Sequence, residues 1–229
     1  MTDQKNQDML EATQLSVSVG PALIIRESSL TVDPGQIVGL IGANGAGKTT
    51  CLRAIMGLIV PTSGVVMFEG VEITNTPAYE RANRGIGYMP EDRRLVPAQT
   101  AEENILTPVW SIDIPNWQDR LAWIYRLMPE VEGLKDRPAT SISGGQQKLV
   151  ALARALMLGK KLLLLDEPSE GIAPVLARRI IDILVKLKSE GVSALVAESN
   201  AHDFQDILDK KFIMERGSIS GDAFSTHWH

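Results

Sequence analysis

A glycine-rich run that ends in a lysine and a threonine is the part of the sequence best suited to chemistry. Its eight residues are Gly42-Ala43-Asn44-Gly45-Ala46-Gly47-Lys48-Thr49. They match the pattern GxxxxGK(S/T), whose glycines let successive backbone N–H groups turn toward phosphate oxygens. Lys48 is expected to reach the β- and γ-phosphates of a nucleotide, and the Thr49 hydroxyl to ligate Mg²⁺. We therefore predict that this run, together with Thr50, binds a nucleoside triphosphate.

Two acidic residues close an apolar run further along the chain. The run Leu162–Leu165 is typical of a buried strand, and Asp166 and Glu167 follow at its carboxyl end, where open α/β sheets bind ligands. Asp166 is expected to complete the Mg²⁺ shell, and Glu167 to activate the attacking water as a general base. Together with the phosphate loop, this pair predicts Mg-ATP as the bound species and its hydrolysis as the reaction.

A third motif lies between the first two and immediately precedes a predicted helix. It reads Ile142-Ser143-Gly144-Gly145-Gln146-Gln147. This stretch resembles the LSGGQ signature of ABC-type ATPases, with Ile142 in place of Leu, and the order of the three motifs is that of the family. The resemblance extends from about Leu15 to Ile219. It implies an α/β fold of the P-loop NTPase class and ABC type, with a mixed sheet core, an N-terminal antiparallel β subdomain and a helical insertion.

The family resemblance also implies partners. Residues Ser143 to Gln146 of one subunit would bind the nucleotide held by Lys48 of a second ATPase subunit, because backbone N–H groups at a helix N-terminus stabilise anionic oxygens. The second subunit is either an identical copy or a related chain. Integral membrane permease subunits would hold the pair at the cytoplasmic face of the inner membrane. A periplasmic or extracellular solute-binding protein would act on the complex indirectly.

A narrower resemblance points to one class of transporter. Residues Asp166 to Pro174 read DEPSEGIAP, and this stretch is similar to one in ATPase subunits of importers for branched-chain amino acids, amides and urea. Met128–Glu130 and Pro90–Leu95 also resemble the shorter of the two ATPases in such systems. The implied function is the ATP-hydrolysing subunit of an importer for branched-chain amino acids or related small polar compounds. The alternative is an ATP-dependent dimerisation switch with little hydrolysis and no role in transport.

Three positions depart from the family pattern. Glu91 stands where the family usually has a glutamine that contacts Mg²⁺ and water, and a carboxylate there could still serve as a metal ligand and in catalysis. Ser199 replaces the switch histidine and cannot carry its charge, so His202 is either a substitute or an ordinary surface residue. Val19 stands where an aromatic ring usually stacks on adenine, and we expect weaker nucleotide binding from that loss.

Strands and helices must bring these residues together in one α/β body. We predict a single domain over residues 1–229, with an ATP-binding core and β subdomain in 14–90 and 160–220 and a helical subdomain in 91–159 that ends in the signature. The predicted helices are Thr49–Met56, Gln146–Leu158 and Pro174–Lys188. The predicted strands are Leu15–Val19, Leu30–Val32, Gln36–Ile41, Val65–Phe68, Gly85–Met89, Lys161–Leu165 and Ser193–Ala197, followed by a hairpin with its turn at Arg216-Gly217.

Composition narrows the class of protein further. The 229 residues contain 23 Lys and Arg against 28 Asp and Glu, a net charge of −5 that disfavours a nucleic-acid-handling role. Four arginines nevertheless form a local basic cluster, which is either a solvated surface or a dock for a permease helix. They are Arg81, Arg84, Arg93 and Arg94. The single cysteine, Cys51, excludes an intramolecular disulfide and is expected to be a buried filler.

Three of the four tryptophans lie in the predicted helical insertion. Trp110, Trp117 and Trp123 are expected either to fill a small helical core or to present a partner surface. Asn116 is a candidate N-cap for the helix that Trp117 begins. His227 and His229 form a nominal metal pair, but a terminal segment is the simpler interpretation. From the polar N-terminal residues we expect no secretory signal, and no apolar run in the given sequence is long enough to span a bilayer.

Overall fold

A computed structural model of the chain describes residues 8–112, 114–200 and 202–223. The strands are β1 (Leu10–Val19), β2 (Ala22–Val32), β3 (Ile37–Ile41), β4 (Ser63–Phe68), β5 (Val71–Glu72), β6 (Ile86–Met89), β7 (Leu162–Asp166), β8 (Ser193–Glu198), β9 (Lys210–Glu215) and β10 (Ser218–Ala223). The α-helices are α1 (Lys48–Ile55), α2 (Ala78–Asn83), α3 (Ala101–Ser111), α4 (Trp117–Leu127), α5 (Pro129–Glu132), α6 (Gly144–Leu158) and α7 (Pro174–Ser189). None of these helices is both long and apolar enough to cross a membrane.

The larger sheet places the phosphate loop, the acidic pair and Ser199 at one edge. Its strand order is β10-β9-β3-β8-β7-β6, and the five strands from β9 to β6 run parallel. The phosphate loop follows β3, the acidic pair closes β7, and Ser199 follows β8, which lies between them. Because the carboxyl ends of parallel strands meet at the same edge, this order brings residues distant in sequence into one site.

The apolar run of β7 is buried on both faces of this sheet. Leu162 and Leu164 pack into a core with α1 and the N-terminal strands, whereas Leu163 and Leu165 pack into a second core with α6 and α7. The alternation follows from the two-residue period of a strand, and the double burial explains why the run contains no polar residue. Both cores therefore fix the end of β7, from which Asp166 and Glu167 project.

The smaller sheet is antiparallel, with the strand order β2-β1-β4-β5. Its strands β1 and β2 end where the sequence predicted but begin earlier, at Leu10 and Ala22, because each continues through exposed positions that precede the predicted apolar residues. The predicted terminal hairpin is confirmed as β9 and β10, joined at Arg216-Gly217. Two short elements, α2 and β5, were not predicted, since neither is long enough to show a hydrophobic period.

The described residues between β6 and β7 form helices and turns, and two details differ from expectation. Trp117 and Trp123 pack against the core that contains α6, but Trp110 is 59% exposed, so its predicted place in a helical core is wrong. Asn116 precedes α4 in a left-handed conformation and its side chain makes no capping hydrogen bond, so its predicted capping role is also wrong. Real capping boxes begin α3, at Thr100, and α6, at Ser143.

The four arginines of the basic cluster have different environments. Arg81 is only 1% exposed, so neither the surface nor the docking interpretation applies to it. Its guanidinium donates hydrogen bonds to the carbonyl oxygens of Ala54, Ile55, Thr74 and Thr76. Arg84 and Arg94 are exposed, and Arg93 is half-buried. The prediction of a buried Cys51 is confirmed, whereas His227 and His229 lie outside the described residues.

Candidate functional site

Backbone geometry explains the glycines of the phosphate loop. Gly45 and Gly47 have φ values of 81° and 114°, which side chains with a Cβ rarely adopt. At Gly42 a Cβ would fall 2.2 Å from the carbonyl oxygen of Met214, so the loop passes too close to β9 for any larger residue. Helix α1 begins at Lys48, directly after the loop, and has no acidic residue in its first turn. Its N-terminus therefore presents uncompensated partial positive charge.

A cavity of about 430 Å³ lies beside this helix end. We call it the phosphate cavity; its lining residues are Ile24, Asn44, Gly45, Gly47, Lys48, Thr49, Thr50, Glu91 and Glu167. Most of the predicted phosphate-loop contacts, the predicted base and the loop acid thus lie around one space. The lining supplies backbone N–H groups, an ammonium and hydroxyls, which suit the oxygens of a polyphosphate. It also supplies carboxylates, which suit a divalent cation bound to that polyphosphate.

The predicted metal ligands are adjacent. Thr49 Oγ1 donates a hydrogen bond of 3.0 Å to Asp166 Oδ1, and the Tyr88 hydroxyl donates one of 3.3 Å to Oδ2. Burial raises the pKa of the Asp166 carboxyl, and these two hydrogen bonds offset part of the rise. The described residues hold no cluster of three or more His, Cys, Asp or Glu suited to a metal. Such a sparse protein ligand set fits Mg²⁺, which keeps waters and takes further oxygens from substrate phosphates.

The Glu167 carboxylate is held between a lysine and a serine. Lys48 Nζ lies 2.9 Å from Oε1, and the Ser199 N–H and hydroxyl both donate to Oε2, at 3.0 and 3.2 Å. Burial alone would raise the pKa of Glu167, but Lys48, the Ser199 N–H and Glu198 together hold it below its usual range. The carboxylate is therefore ionised at neutral pH, the state that a general base requires.

Lys48 has further acceptors besides Glu167. Its ammonium donates hydrogen bonds of 2.6 Å to the Gly42 carbonyl and 3.3 Å to the Ala43 carbonyl. The side chain is 5% exposed, so the three acceptors offset the loss of water around the charge. The loop thus holds the ammonium in place at the wall of the phosphate cavity.

Sequence reasoning missed Glu198, a buried acid at the end of β8. It accepts hydrogen bonds from the Ser169 N–H and hydroxyl, at 2.9 and 2.8 Å, and shares a hydrogen bond with Glu167. Burial raises the pKa of Glu198 to about 8, so at neutral pH it is protonated and donates to Glu167. The only signal in the sequence was its position beside Ser199. Sequence reasoning also missed the contact of Tyr88 with Asp166, because the sequence showed Tyr88 only as one residue of a predicted strand.

Glu91 and Ser199 lie where the sequence analysis expected them to act. Glu91 is exposed and lines the phosphate cavity, and desolvation, together with the charges of Glu170, Asp166 and Glu167, raises its pKa. Ser199 donates hydrogen bonds directly to the Glu167 carboxylate. It can therefore help to position Glu167, although it lacks the imidazole of the usual histidine. His202 is exposed and its ring faces Asp203. This environment fits an ordinary surface histidine rather than a substitute for the switch histidine.

Two other groups of predicted residues do not line the phosphate cavity. At the start of α6, Ser143 Oγ accepts from the Gln146 N–H at 3.3 Å, and Gln146 Oε1 accepts from the Ser143 N–H at 2.9 Å. This capping box orders the signature loop, yet the loop lies outside the lining of the cavity in its own chain. Val19 is 51% exposed at the end of β1, and Ile24 is the apolar lining residue instead.

Comparisons with known proteins identify the family. Residues 25–170 match the model of the ABC transporter family. The chain is 36% identical over 211 residues to the high-affinity branched-chain amino acid transport ATP-binding protein BraG of Pseudomonas aeruginosa, covering 92% of this chain and 91% of BraG. It is 32% identical over 213 residues to the lipopolysaccharide export system ATP-binding protein LptB of Haemophilus influenzae, covering 92% and 88%.

Solved structures give the same fold. A nucleotide-free ATP-binding cassette of an ABC transporter superposes with a TM-score of 0.85 at 28% identity, over 95% of this chain and 91% of that one. The ADP conformation of MJ1267, an ATP-binding cassette of an ABC transporter, gives 0.84 at 27% identity with the same coverage. These matches confirm the predicted fold class and the resemblance carried by the three motifs. The chain belongs to the ABC transporter family, as an ATP-binding subunit that hydrolyses ATP to power transport.

Proposed function

We propose that this chain energises an importer for branched-chain amino acids or related small polar compounds. The observation that carries the proposal is the 36% identity to BraG over 92% of the chain. The stretch from Asp166 to Pro174, which forms the end of β7 and the start of α7, has the sequence expected of that class. Identity to LptB proteins is lower, at 31 to 32%, over the same share of the chain.

Binding begins at the phosphate loop. Lys48 and the backbone N–H groups of the loop hold the β- and γ-phosphates of ATP, and Thr49 and Asp166 would hold Mg²⁺, which would supply positive charge to offset that of the phosphates. The γ-phosphate oxygens compete with Glu167 for Lys48, because both acceptors are anions within reach of one ammonium. Phosphate binding thereby turns Lys48 from the counter-ion of the base into a ligand of the substrate.

Hydrolysis then depends on the carboxylate of Glu167. Ser199 continues to hold Oε2, which leaves Oε1 free to accept a proton from the attacking water. Glu198 donates to the same carboxyl group and helps to keep it ionised. Glu91 lines the same cavity and supplies a further oxygen toward the metal or the water.

A second ATPase subunit completes each site. The signature residues lie at the N-terminus of α6, whose free N–H groups suit phosphate oxygens, but they do not line the phosphate cavity of their own chain. Two subunits arranged head to tail would bring each signature loop to the nucleotide of the other. The partner is an identical copy or a related chain, and ATP binding closes the pair.

Integral permease subunits span the membrane and bind this chain, which associates peripherally at the cytoplasmic face of the inner membrane. The exposed Arg84 and Arg94 are the members of the basic cluster available to a permease helix. Arg93, Arg94 and Leu95 line a shallow cavity of about 210 Å³ that a helix end could enter. A solute-binding protein outside the membrane delivers the transported compound to the permease.

The experiment that tests this function reconstitutes the chain with permease subunits in proteoliposomes. ATP hydrolysis should be stimulated by the permease, and uptake of radiolabelled leucine, isoleucine or valine should depend on ATP. Absence of stimulation would contradict the transport role. The LptB relatives make lipid export the second candidate function, and ATP-dependent extraction of lipopolysaccharide without amino acid uptake would favour it.

A further inference from the structure

A buried lysine on the signature helix has no part in the scheme above. Lys148 belongs to α6, one turn after the capping box that orders the signature loop. It is only 1% exposed, and lysine is almost never fully buried unless its charge is paired. A buried ammonium beside a catalytic centre therefore requires an explanation in terms of what it contacts.

The contact is with the backbone of the catalytic residue. Lys148 Nζ donates a hydrogen bond to the carbonyl oxygen of Glu167. The carboxylates of Glu170 and Glu167 lie close enough to stabilise the ammonium at neutral pH, while Arg93 opposes it. Glu198 is protonated at that pH and adds its charge only once it ionises. Burial lowers the pKa of Lys148, and the negative charges of these acids counteract that effect. Lys148 is thus a second positive charge, besides Lys48, among the acidic residues around Glu167.

Glu167 needs such support because its backbone is strained. Its φ is 47°, in the left-handed region that is sterically unfavourable for a residue with a Cβ. The Glu167 N–H donates to the Ala197 carbonyl at 2.9 Å, and its carbonyl accepts from Lys148 and, at 3.3 Å, from the N–H of nearby Glu170. Both peptide groups of the residue are therefore anchored, one by β8 and one by α6. Ser199 then fixes the carboxylate.

We propose that Lys148 is a positioning residue for Glu167, which fixes the backbone of the base and joins it to the helix that carries the signature loop. The proposal rests on the proposed function, since it requires Glu167 to act in hydrolysis. If α6 moves when its N-terminus binds a partner's nucleotide, the hydrogen bond from Lys148 would shift the backbone of Glu167 as well. The base of one site would thus respond to occupation of the other.

The test replaces the charged side chain with an apolar one of similar length. Lys148→Met should lower kcat for MgATP about ten- to hundredfold, the effect expected when a catalytic group is displaced by about 1 Å. The Kd for MgATP should stay within twofold of the wild type, because Lys148 does not line the phosphate cavity. A wild-type kcat in Lys148→Met, when the wild type itself hydrolyses ATP, would overturn this proposal alone. An inactive wild type would instead contradict the proposed function.

A matched control separates positioning from loss of packing. Arg120 also donates to main-chain carbonyls of the α6 segment, those of Leu156 and Gly159, at the opposite end of the helix. Arg120→Met should lower the melting temperature comparably but leave kcat unchanged. An equal loss of kcat in both variants would contradict a specific role for Lys148.

A double-variant cycle gives a second, independent result. Because Lys148 acts through Glu167, Lys148→Met should reduce single-turnover hydrolysis less than twofold in a Glu167→Gln background. A full ten- to hundredfold loss in that background would overturn the proposal. Should Lys148→Met fail to fold, Lys148→Gln carries the same test, since its shorter amide removes the charge and keeps a polar group.

Discussion

The phosphate cavity and the signature loop each lie at a helix N-terminus that is proposed to bind phosphate, but their organisation differs. Around the cavity, buried charged groups have partners from other elements: Lys48 pairs with Glu167, and Asp166 accepts a hydrogen bond from the Thr49 hydroxyl. At the signature loop, Ser143 and Gln146 bond to each other in a capping box, and neither lines the phosphate cavity. The first region is preorganised by the fold, whereas the second is a partly exposed helix end that the proposed partner subunit would cover.

This difference explains where the chain uses its polar residues. A preorganised site must bury charges, and each buried charge needs a partner from another element, which ties β3, α1, β7 and β8 together. A surface that binds a partner's nucleotide needs only exposed N–H groups on a rigid helix end. The two regions are therefore expected to respond differently to substitution.

The largest effect is expected in the phosphate cavity. Glu167→Gln should reduce kcat by roughly 10²–10⁴-fold, the contribution of a positioned general base, while ATP binding and ATP-dependent pairing persist. Single-turnover hydrolysis and size-exclusion chromatography with ATP provide the two measurements. Normal turnover by this variant would show that Glu167 is not the base.

The next largest effect is expected at Val19, at the end of β1, which lies outside the lining of the phosphate cavity but at the position where the family usually has an adenine-stacking ring. Val19→Tyr should tighten ATP binding about five- to hundredfold, because stacking of a ring on a base contributes about 1–3 kcal/mol. Fluorescence titration with a nucleotide analogue measures the change. Val65→Tyr, at another exposed position of the same sheet, serves as the control and should leave the Kd unaltered.

A smaller effect is expected at the signature loop. Ser143→Ala should lower hydrolysis by the paired protein about tenfold through loss of one hydrogen bond to a charged phosphate, with no change in ATP affinity. It should also lower the free energy of unfolding by about 1 kcal/mol, because the N-cap is lost.

The matched control for this variant is the second capping box of the chain. Thr100→Ala removes the N-cap of α3 and should cause the same loss of stability. Its rate of hydrolysis should equal that of the wild type, measured under the same conditions. A similar loss of hydrolysis in both variants would show that Ser143 acts through the stability of its helix and not through contact with the nucleotide.

The smallest effect concerns stability as a function of pH. Folded protein keeps a proton on Glu198 up to about pH 8, whereas the unfolded chain releases it near the usual value of 4.5. The folded state therefore binds more protons in this window, and wild-type stability falls as pH rises through it.

Glu198→Gln mimics the protonated acid and should remove this dependence. Each pKa unit is worth about 1.4 kcal/mol, so the variant should gain at least about 1 kcal/mol over the wild type between pH 5 and pH 8.5. Urea denaturation at the two pH values measures the difference. An equal pH dependence in both proteins would show that Glu198 keeps an ordinary pKa.

Sequence patterns succeeded where chemistry requires contiguous residues. The phosphate loop needs glycines at fixed spacing before a lysine, and the acids must follow a strand that is buried on both faces, so both motifs were visible in the sequence. Patterns failed for Arg81, Glu198 and Lys148, which are charged residues that read as surface positions. Their burial follows from hydrogen bonds to carbonyls and hydroxyls on other elements, which no local pattern encodes.

The sequence by itself determined the phosphate loop, the acidic pair, the signature helix and hence the family. Each depends on local backbone conformation or on the two-residue period of a buried strand, and both are written in neighbouring residues. Only the tertiary structure decided what surrounds Glu167. Its carboxylate contacts come from Lys48, Ser199 and Glu198, and its backbone contacts with other elements come from Ala197 and Lys148. These residues become neighbours only when parallel strands and the signature helix pack together, because charges buried in one interior must be paired across distant parts of the chain.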